Sequence, residues 1–119
     1  MRKRIVILED DPDLLECLTL MLESAGWTVI PMNQTASPEV LLAQNPDCIL
    51  LDEKLPHISG HTICIILKTL YKEIQIPVIL MSGIPDLHEK AMLCEADAFV
   101  PKPFINNQEF LNIVSGVVN

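Results

Sequence analysis

Ile5-Val6-Ile7-Leu8, Cys48-Ile49-Leu50-Leu51 and Val78-Ile79-Leu80-Met81 are unbroken apolar runs of strand length. A strand with one wet face alternates apolar and polar residues. These runs do not, so each predicts a strand covered on both faces, as in a parallel sheet. The shorter Ala98-Phe99-Val100 and the weaker Thr28-Val29-Ile30 bring the set to five. Helix-like segments separate them. Leu14, Leu15, Leu18, Met21, Leu22 and Ala25 form a stripe at helical spacing, with Pro12 suited to the first turn and Gly26 to the stop. Ser37-Pro38-Glu39 reads as an N-cap, a first-turn proline and a dipole-complementing acid, opening a short helix to about Asn45. Further helices are expected over Thr62–Tyr71, Asp86–Cys94 and from Asn107 to about Val114. Five alternating strand–helix units imply an α/β protein with a parallel sheet and helices on both faces. Right-handed crossovers make it doubly wound.

The 119 residues are the length of one domain, and no linker or composition shift suggests a second. Eight basic residues stand against sixteen acidic ones, a net charge of −8. Such a surface repels phosphate backbones. The aromatic residues Trp27, Tyr71, Phe99, Phe104 and Phe110 are too few and too scattered for a stacking platform. Direct nucleic-acid binding is therefore not expected. No apolar run approaches the roughly 20 residues of a membrane span. Arg2-Lys3-Arg4 mimics the opening of a signal peptide, but only Ile5 to Leu8 follow before Glu9-Asp10-Asp11, so no signal peptide fits. Cys17, Cys48, Cys64 and Cys94 lack zinc or redox spacing. They read as small buried hydrophobes of a reducing compartment, which for this chain means the cytoplasm.

In open α/β sheets the site lies beyond the carboxyl ends of the strands. Glu9, Asp10 and Asp11 follow the first run, Asp52 and Glu53 the third, Ser82 and Gly83 the fourth, and Lys102 the fifth. Any one of these alone is ordinarily a turn or cap residue, and Asp11-Pro12 or Asp13 suits that role. Their joint occurrence at four strand ends points to chemistry. Carboxylates gathered at one rim repel each other and need compensating charge. An oxygen-rich set without His or Cys suits a hard cation such as Mg²⁺. A cation, an ammonium and a hydroxyl around one carboxylate are what phosphoryl transfer onto that carboxylate requires.

Four motifs carry a resemblance over Lys3 to Val118: Leu8-Glu9-Asp10-Asp11-Pro12; Leu51-Asp52-Glu53-Lys54-Leu55-Pro56 with Ser59-Gly60; Met81-Ser82-Gly83; and Phe99-Val100-Pro101-Lys102-Pro103-Phe104. Together and in this order they resemble the receiver domain of two-component response regulators. The resemblance implies one receiver domain over residues 1–119, of the (βα)5 flavodoxin-like, chemotaxis-Y-like fold with strand order 2-1-3-4-5. It implies Asp52 as the phosphoacceptor, taking a phosphoryl group from a histidine kinase or a histidine phosphotransfer protein. Asp10 would ligate Mg²⁺ directly and Glu9 mostly through water. Asp52 and the Lys54 backbone carbonyl would complete the protein's share of the metal shell. Ser82 would bond a phosphoryl oxygen, Lys102 would pair with the phosphate, and Phe99 would be the switch aromatic. The output would be a protein-interaction face of the fourth helix, fifth strand and fifth helix, read by a downstream effector protein or domain. A homodimer through the fourth-helix face follows from the same analogy.

Some positions depart from the family pattern. Lys54 and Ile84, two residues past Asp52 and Ser82, flank the route of an attacking water. An apolar Ile84 cannot orient that water, so slow self-dephosphorylation is expected. Glu95 stands where a glycine is common, which removes an easy left-handed helix cap. Phe99 replaces a more usual tyrosine. His57, His61 and His88 read as surface histidines, the methionines as core filling and Trp27 as a partly buried anchor. The chain is thus expected to be a switch and not a turnover enzyme. One rival is a small phosphatase with an aspartyl nucleophile, which would need a second acid where Lys54 stands. A nucleotide or flavin binder would need a glycine- or hydroxyl-rich loop where Glu9-Asp10-Asp11 stands. A non-phosphorylated pseudo-receiver acting as a binding module would not need the full set of Asp10, Asp52, Ser82 and Lys102.

Overall fold

The computed structural model describes residues 3–83, 89, 92–102 and 106–118. Strands β1 (Arg4–Leu8), β2 (Thr28–Met32), β3 (Cys48–Asp52), β4 (Val78–Ser82) and β5 (Ala98–Pro101) form one sheet in the order β2-β1-β3-β4-β5. Every pairing is parallel, as expected of a doubly wound chain. The described helices are α1 (Pro12–Ser24), α2 (Pro38–Ala43), α3 (Gly60–Leu70) and α4 (Asn107–Val118). The helix expected over Asp86–Cys94 falls largely outside the described residues, as do Ile84, His88, Pro103 and Phe104.

The unbroken apolar runs are explained by two cores. Successive strand residues point to opposite faces. Ile5, Ile7, Leu50, Ile79 and Met81 pack with Leu15, Leu18 and Leu22 of α1 and Phe110 and Val114 of α4. Val6, Leu8, Ile49, Leu51 and Leu80 pack on the other face with Leu41 of α2 and Ile63, Cys64 and Leu67 of α3. Each buried Leu or Ile is worth about 1.5–3 kcal/mol, so neither face can be left wet.

Two strands run further than their apolar cores. β2 continues through Pro31 to Met32, and β5 ends at Pro101. Both are edge strands, where a missing N–H faces outward and costs no ladder bond. α1 starts at Pro12 with Asp11 as its cap, the Asp11 carboxylate accepting from the Asp13 and Leu14 amides. It ends in a Schellman turn: Gly26 at φ +98° donates to the Glu23 carbonyl and Trp27 to Leu22. α2 is capped by Ser37, whose hydroxyl accepts from the Val40 amide. α3 starts two residues earlier than its apolar stripe suggested, at Gly60. Trp27 is 9% exposed, an anchor at the entry to β2. Two expectations fail outright, the first being Met92, which reads as core filling and is exposed. Cys17 is exposed, because on α1 it lies off the stripe formed by Leu15, Leu18 and Leu22, while Cys48, Cys64 and Cys94 are buried.

Candidate functional site

Three hydrogen bonds prolong the sheet one residue past β1, β3 and β5. The Glu9 amide donates to the Met32 carbonyl at 3.1 Å, Glu53 to Met81 at 2.8 Å and Lys102 to Ser82 at 2.9 Å. The ends of β1, β3, β4 and β5 therefore deliver Glu9, Asp52, Ser82 and Lys102 to one rim. Glu9, Asp52 and Ser82 are buried there. Asp10 is exposed, yet one of its carboxylate oxygens lies within 4.8 Å of oxygens from Glu9 and Asp52. Asp11 is taken up as the α1 cap. Ser82 ends β4 one residue past the Met81 that pairs with Asp52. Phe99 pairs with Leu80 and packs half-buried against the second core.

The cluster is short of positive charge. Lys102 Nζ hydrogen-bonds Glu9 Oε2 at 3.1 Å and stands 3.2 Å from Asp52 Oδ1. The second contact lacks hydrogen-bond direction, so the buried Asp52 Oδ1 accepts no hydrogen bond. Burial raises the Asp52 carboxyl above its usual range, and the nearby Lys102 charge only partly offsets it. Burial, then the Asp52 charge, raises Glu9 from its ordinary 4.5 to about 7. Burial works against the Lys102 charge too, but the Asp52 and Glu9 carboxylates outweigh it and hold the ammonium above its usual value. The donor set is all oxygen, partly desolvated and includes a buried oxygen that accepts no hydrogen bond. It fits a hard divalent cation.

Two features escaped the sequence. A Cβ on Gly60 would fall on the Asp52 carbonyl oxygen, so only glycine lets α3 dock against the end of β3. His61 is no bare surface histidine: its Nδ1 lies 2.6 Å from Oε2 of the buried Glu53. No periodicity links residues eight apart across a loop, and only the Ser59-Gly60 motif hinted at a close approach. His57 is exposed at φ +71°.

Comparison with known proteins agrees with this geometry. The model of the response regulator receiver domain family matches residues 5–115. The DNA-binding dual master transcriptional regulator RpaA of Synechocystis is 32% identical over 104 residues, covering 85% of this chain and 43% of RpaA. The DNA-binding response regulator MtrA of Mycolicibacterium smegmatis is 31% identical over 107 residues, covering 87% of this chain and 46% of MtrA. The chain thus spans less than half the length of these relatives. The crystal structure of a putative response regulator from Chloroflexus aurantiacus superposes with a TM-score of 0.85 at 27% identity, covering 99% of this chain and 98% of that one. The chain belongs to the receiver domain family of two-component response regulators. Domains of this family are phosphoacceptors and not turnover enzymes, and they bind Mg²⁺. Among the described residues no helix is long and apolar enough to cross a membrane.

Proposed function

We propose that Asp52 is the phosphoacceptor and that a phospho-histidine of a kinase or phosphotransfer protein is the donor. The observation that carries this reading is the buried Asp52 Oδ1, an acceptor without a donor, set among Glu9, Asp10 and Lys102. A carboxylate oxygen that faces an ammonium but accepts no hydrogen bond has room for a cation and for bond formation to phosphorus. Glu9, Asp10, Asp52 and the Lys54 backbone carbonyl would hold Mg²⁺. When bound, the cation would neutralise charge on the incoming phosphoryl oxygens and relieve the repulsion between the carboxylates. Lys102 would pair with the phosphoryl group, turning from Asp52 toward the new charge. Ser82, on the neighbouring strand, would donate its hydroxyl to a phosphoryl oxygen. The aspartyl phosphate carries about two negative charges. Drawing Ser82 toward it would bias the packing of Phe99, and with it the face that a downstream effector reads. Sequence supports a cytoplasmic location, and a homodimer would use the same output face.

Incubation with acetyl phosphate and Mg²⁺, followed by intact mass, tests the acceptor. A single phosphoryl adduct is expected, lost in Asp52→Asn and on chelation of the metal. An adduct that survives Asp52→Asn would overturn the reading. We further propose slow self-dephosphorylation, because neither Lys54 nor Ile84 supplies a group that orients water. A half-life of seconds for the acyl phosphate would refute this.

A further inference from the structure

Glu53 follows the acceptor in sequence, yet it is only 2% exposed. Both of its carboxylate oxygens are engaged by one residue. Oε1 accepts the His61 backbone N–H at 2.7 Å, and Oε2 lies 2.6 Å from His61 Nδ1.

This contact replaces a missing cap. Ser59 is the N-cap residue of α3, and an N-cap hydroxyl ordinarily accepts from the second or third amide of its helix. The Ser59 hydroxyl makes no such bond, because it is shared with Thr62 Oγ1 at 2.7 Å. Glu53 supplies the acceptor from outside the helix, for the amide of the second helical residue. A negative charge at that end also meets the positive pole of the helix.

The Glu53 backbone is tied to the same elements. Its N–H donates to the Met81 carbonyl at 2.8 Å and its C=O accepts from the Gly60 amide at 2.9 Å. Gly60 brings α3 against the Asp52 carbonyl. The first turn of α3 is thus locked onto the peptide that joins Asp52 to Glu53.

We propose that Glu53 and His61 are a pair of positioning residues which, by holding the Asp52–Glu53 peptide against the first turn of α3, fix where Asp52 presents its carboxylate to a cation and a phosphoryl donor. The proposal rests on Asp52 being the acceptor. A side-chain pair of this kind acts on a metal site as the outer partners of ligands do, by removing orientational freedom.

The test is a mutant cycle on the full chain: wild type, Glu53→Gln, Glu53→Ala, His61→Ala and the Glu53→Ala/His61→Ala double variant. Mg²⁺ affinity is read by isothermal titration, and the modification rate at saturating Mg²⁺ by intact mass with acetyl phosphate. Each alanine variant is expected to weaken Mg²⁺ binding about tenfold and to slow modification by a similar factor. The double variant should be no worse than the worse single, since the pair acts as one unit. Glu53→Gln keeps an acceptor for the His61 amide and should stay within about threefold of wild type. Should Glu53→Ala fail to fold, His61→Ala and Glu53→Gln decide the matter. A drop in melting temperature with Mg²⁺ affinity and saturated rate unchanged would reduce the pair to a helix cap and overturn the proposal, as would additive losses in the double variant. A wild type that binds no Mg²⁺, or that is modified elsewhere, overturns the acceptor reading and the pair with it. Normal wild-type behaviour beside indifferent variants overturns the pair alone.

Discussion

The two ends of the sheet treat charge in opposite ways. At the amino end of β4, Asp97 Oδ2 accepts from Lys68 Nζ at 2.5 Å and from the Val78 amide at 2.8 Å, and Lys68 also reaches the Ile76 carbonyl at 3.4 Å. One carboxylate meets one ammonium, and the bonds left over go to backbone. At the carboxyl end a single ammonium, Lys102, faces two buried carboxylates with a third beside them, and one oxygen goes without a donor. The first arrangement closes a fold. The second is complete only when a cation joins it, and the contrast distinguishes a structural ion pair from a site more sharply than either shift in pKa alone.

That contrast breaks if the two ends respond alike to metal. Mg²⁺ at about a hundred times its dissociation constant should stabilise the wild type by about 2.7 kcal/mol in thermal unfolding. Asp97→Ala should keep that gain, and Asp52→Asn should lose it. Without metal the two substitutions should differ in sign. Asp97→Ala strands the Val78 amide and Lys68, a loss of about 1–2 kcal/mol, kept low because the pair is part exposed. Asp52→Asn removes a desolvated, underpaired charge and should raise stability by about 1 kcal/mol. Loss of stability in both variants would mean that the rim is a structural cluster like the base.

A pH series sharpens the same point. Glu9 titrates near 4.5 unfolded and near 7 folded, and Asp52 is raised as well. Between these values the native state binds more protons than the unfolded chain. Metal-free stability is therefore greatest at low pH as far as these two groups are concerned, and the contribution of Glu9 is lost as pH rises through about 7, with Asp52 acting in the same direction. This is opposite to the usual carboxylate trend. Saturating Mg²⁺ should flatten the slope, and a metal-free slope of the other sign in denaturant melts would contradict the crowding of charge at the rim.

The rim was legible in sequence because its chemistry is local to strand ends. Continuous runs located β1, β3 and β4, and the residues that follow each run were the site residues. The exposure of Cys17 was legible too, since it lies off the helical stripe of Leu15, Leu18 and Leu22, and an apolar neighbourhood in sequence was the weaker guide. Legibility stopped where a side chain's fate depends on another element. The run Thr28-Val29-Ile30 is shorter than β2, which continues through Pro31 to Met32 because edge position decides whether a strand tolerates proline. The Glu53–His61 contact needed the β3–α3 loop in three dimensions. Glu95 in place of a common glycine predicts a lost cap, whereas the chain adopts the left-handed turn there without glycine.

That last residue supplies the finest test, because the base repeats the same turn three times. Asn45, Gln75 and Glu95 have φ of +53°, +55° and +60°, and each stands three residues ahead of a strand, at Cys48, Val78 and Ala98. Left-handed backbone costs a residue with a Cβ roughly 1–2 kcal/mol, less for asparagine. Glycine removes that cost but makes the unfolded chain more disordered. Gln75→Gly and Glu95→Gly should therefore each gain about 0.5–1 kcal/mol in denaturant unfolding, and Asn45→Gly should stay near zero. If strain at the base is local, as its closed ion pair implies, these gains should be the same with and without Mg²⁺ and should leave the acetyl phosphate adduct untouched. A gain from Glu95→Gly that depends on metal would show that the turn before β5 is coupled to the rim at the far end of that strand, and the two ends could no longer be treated as independent.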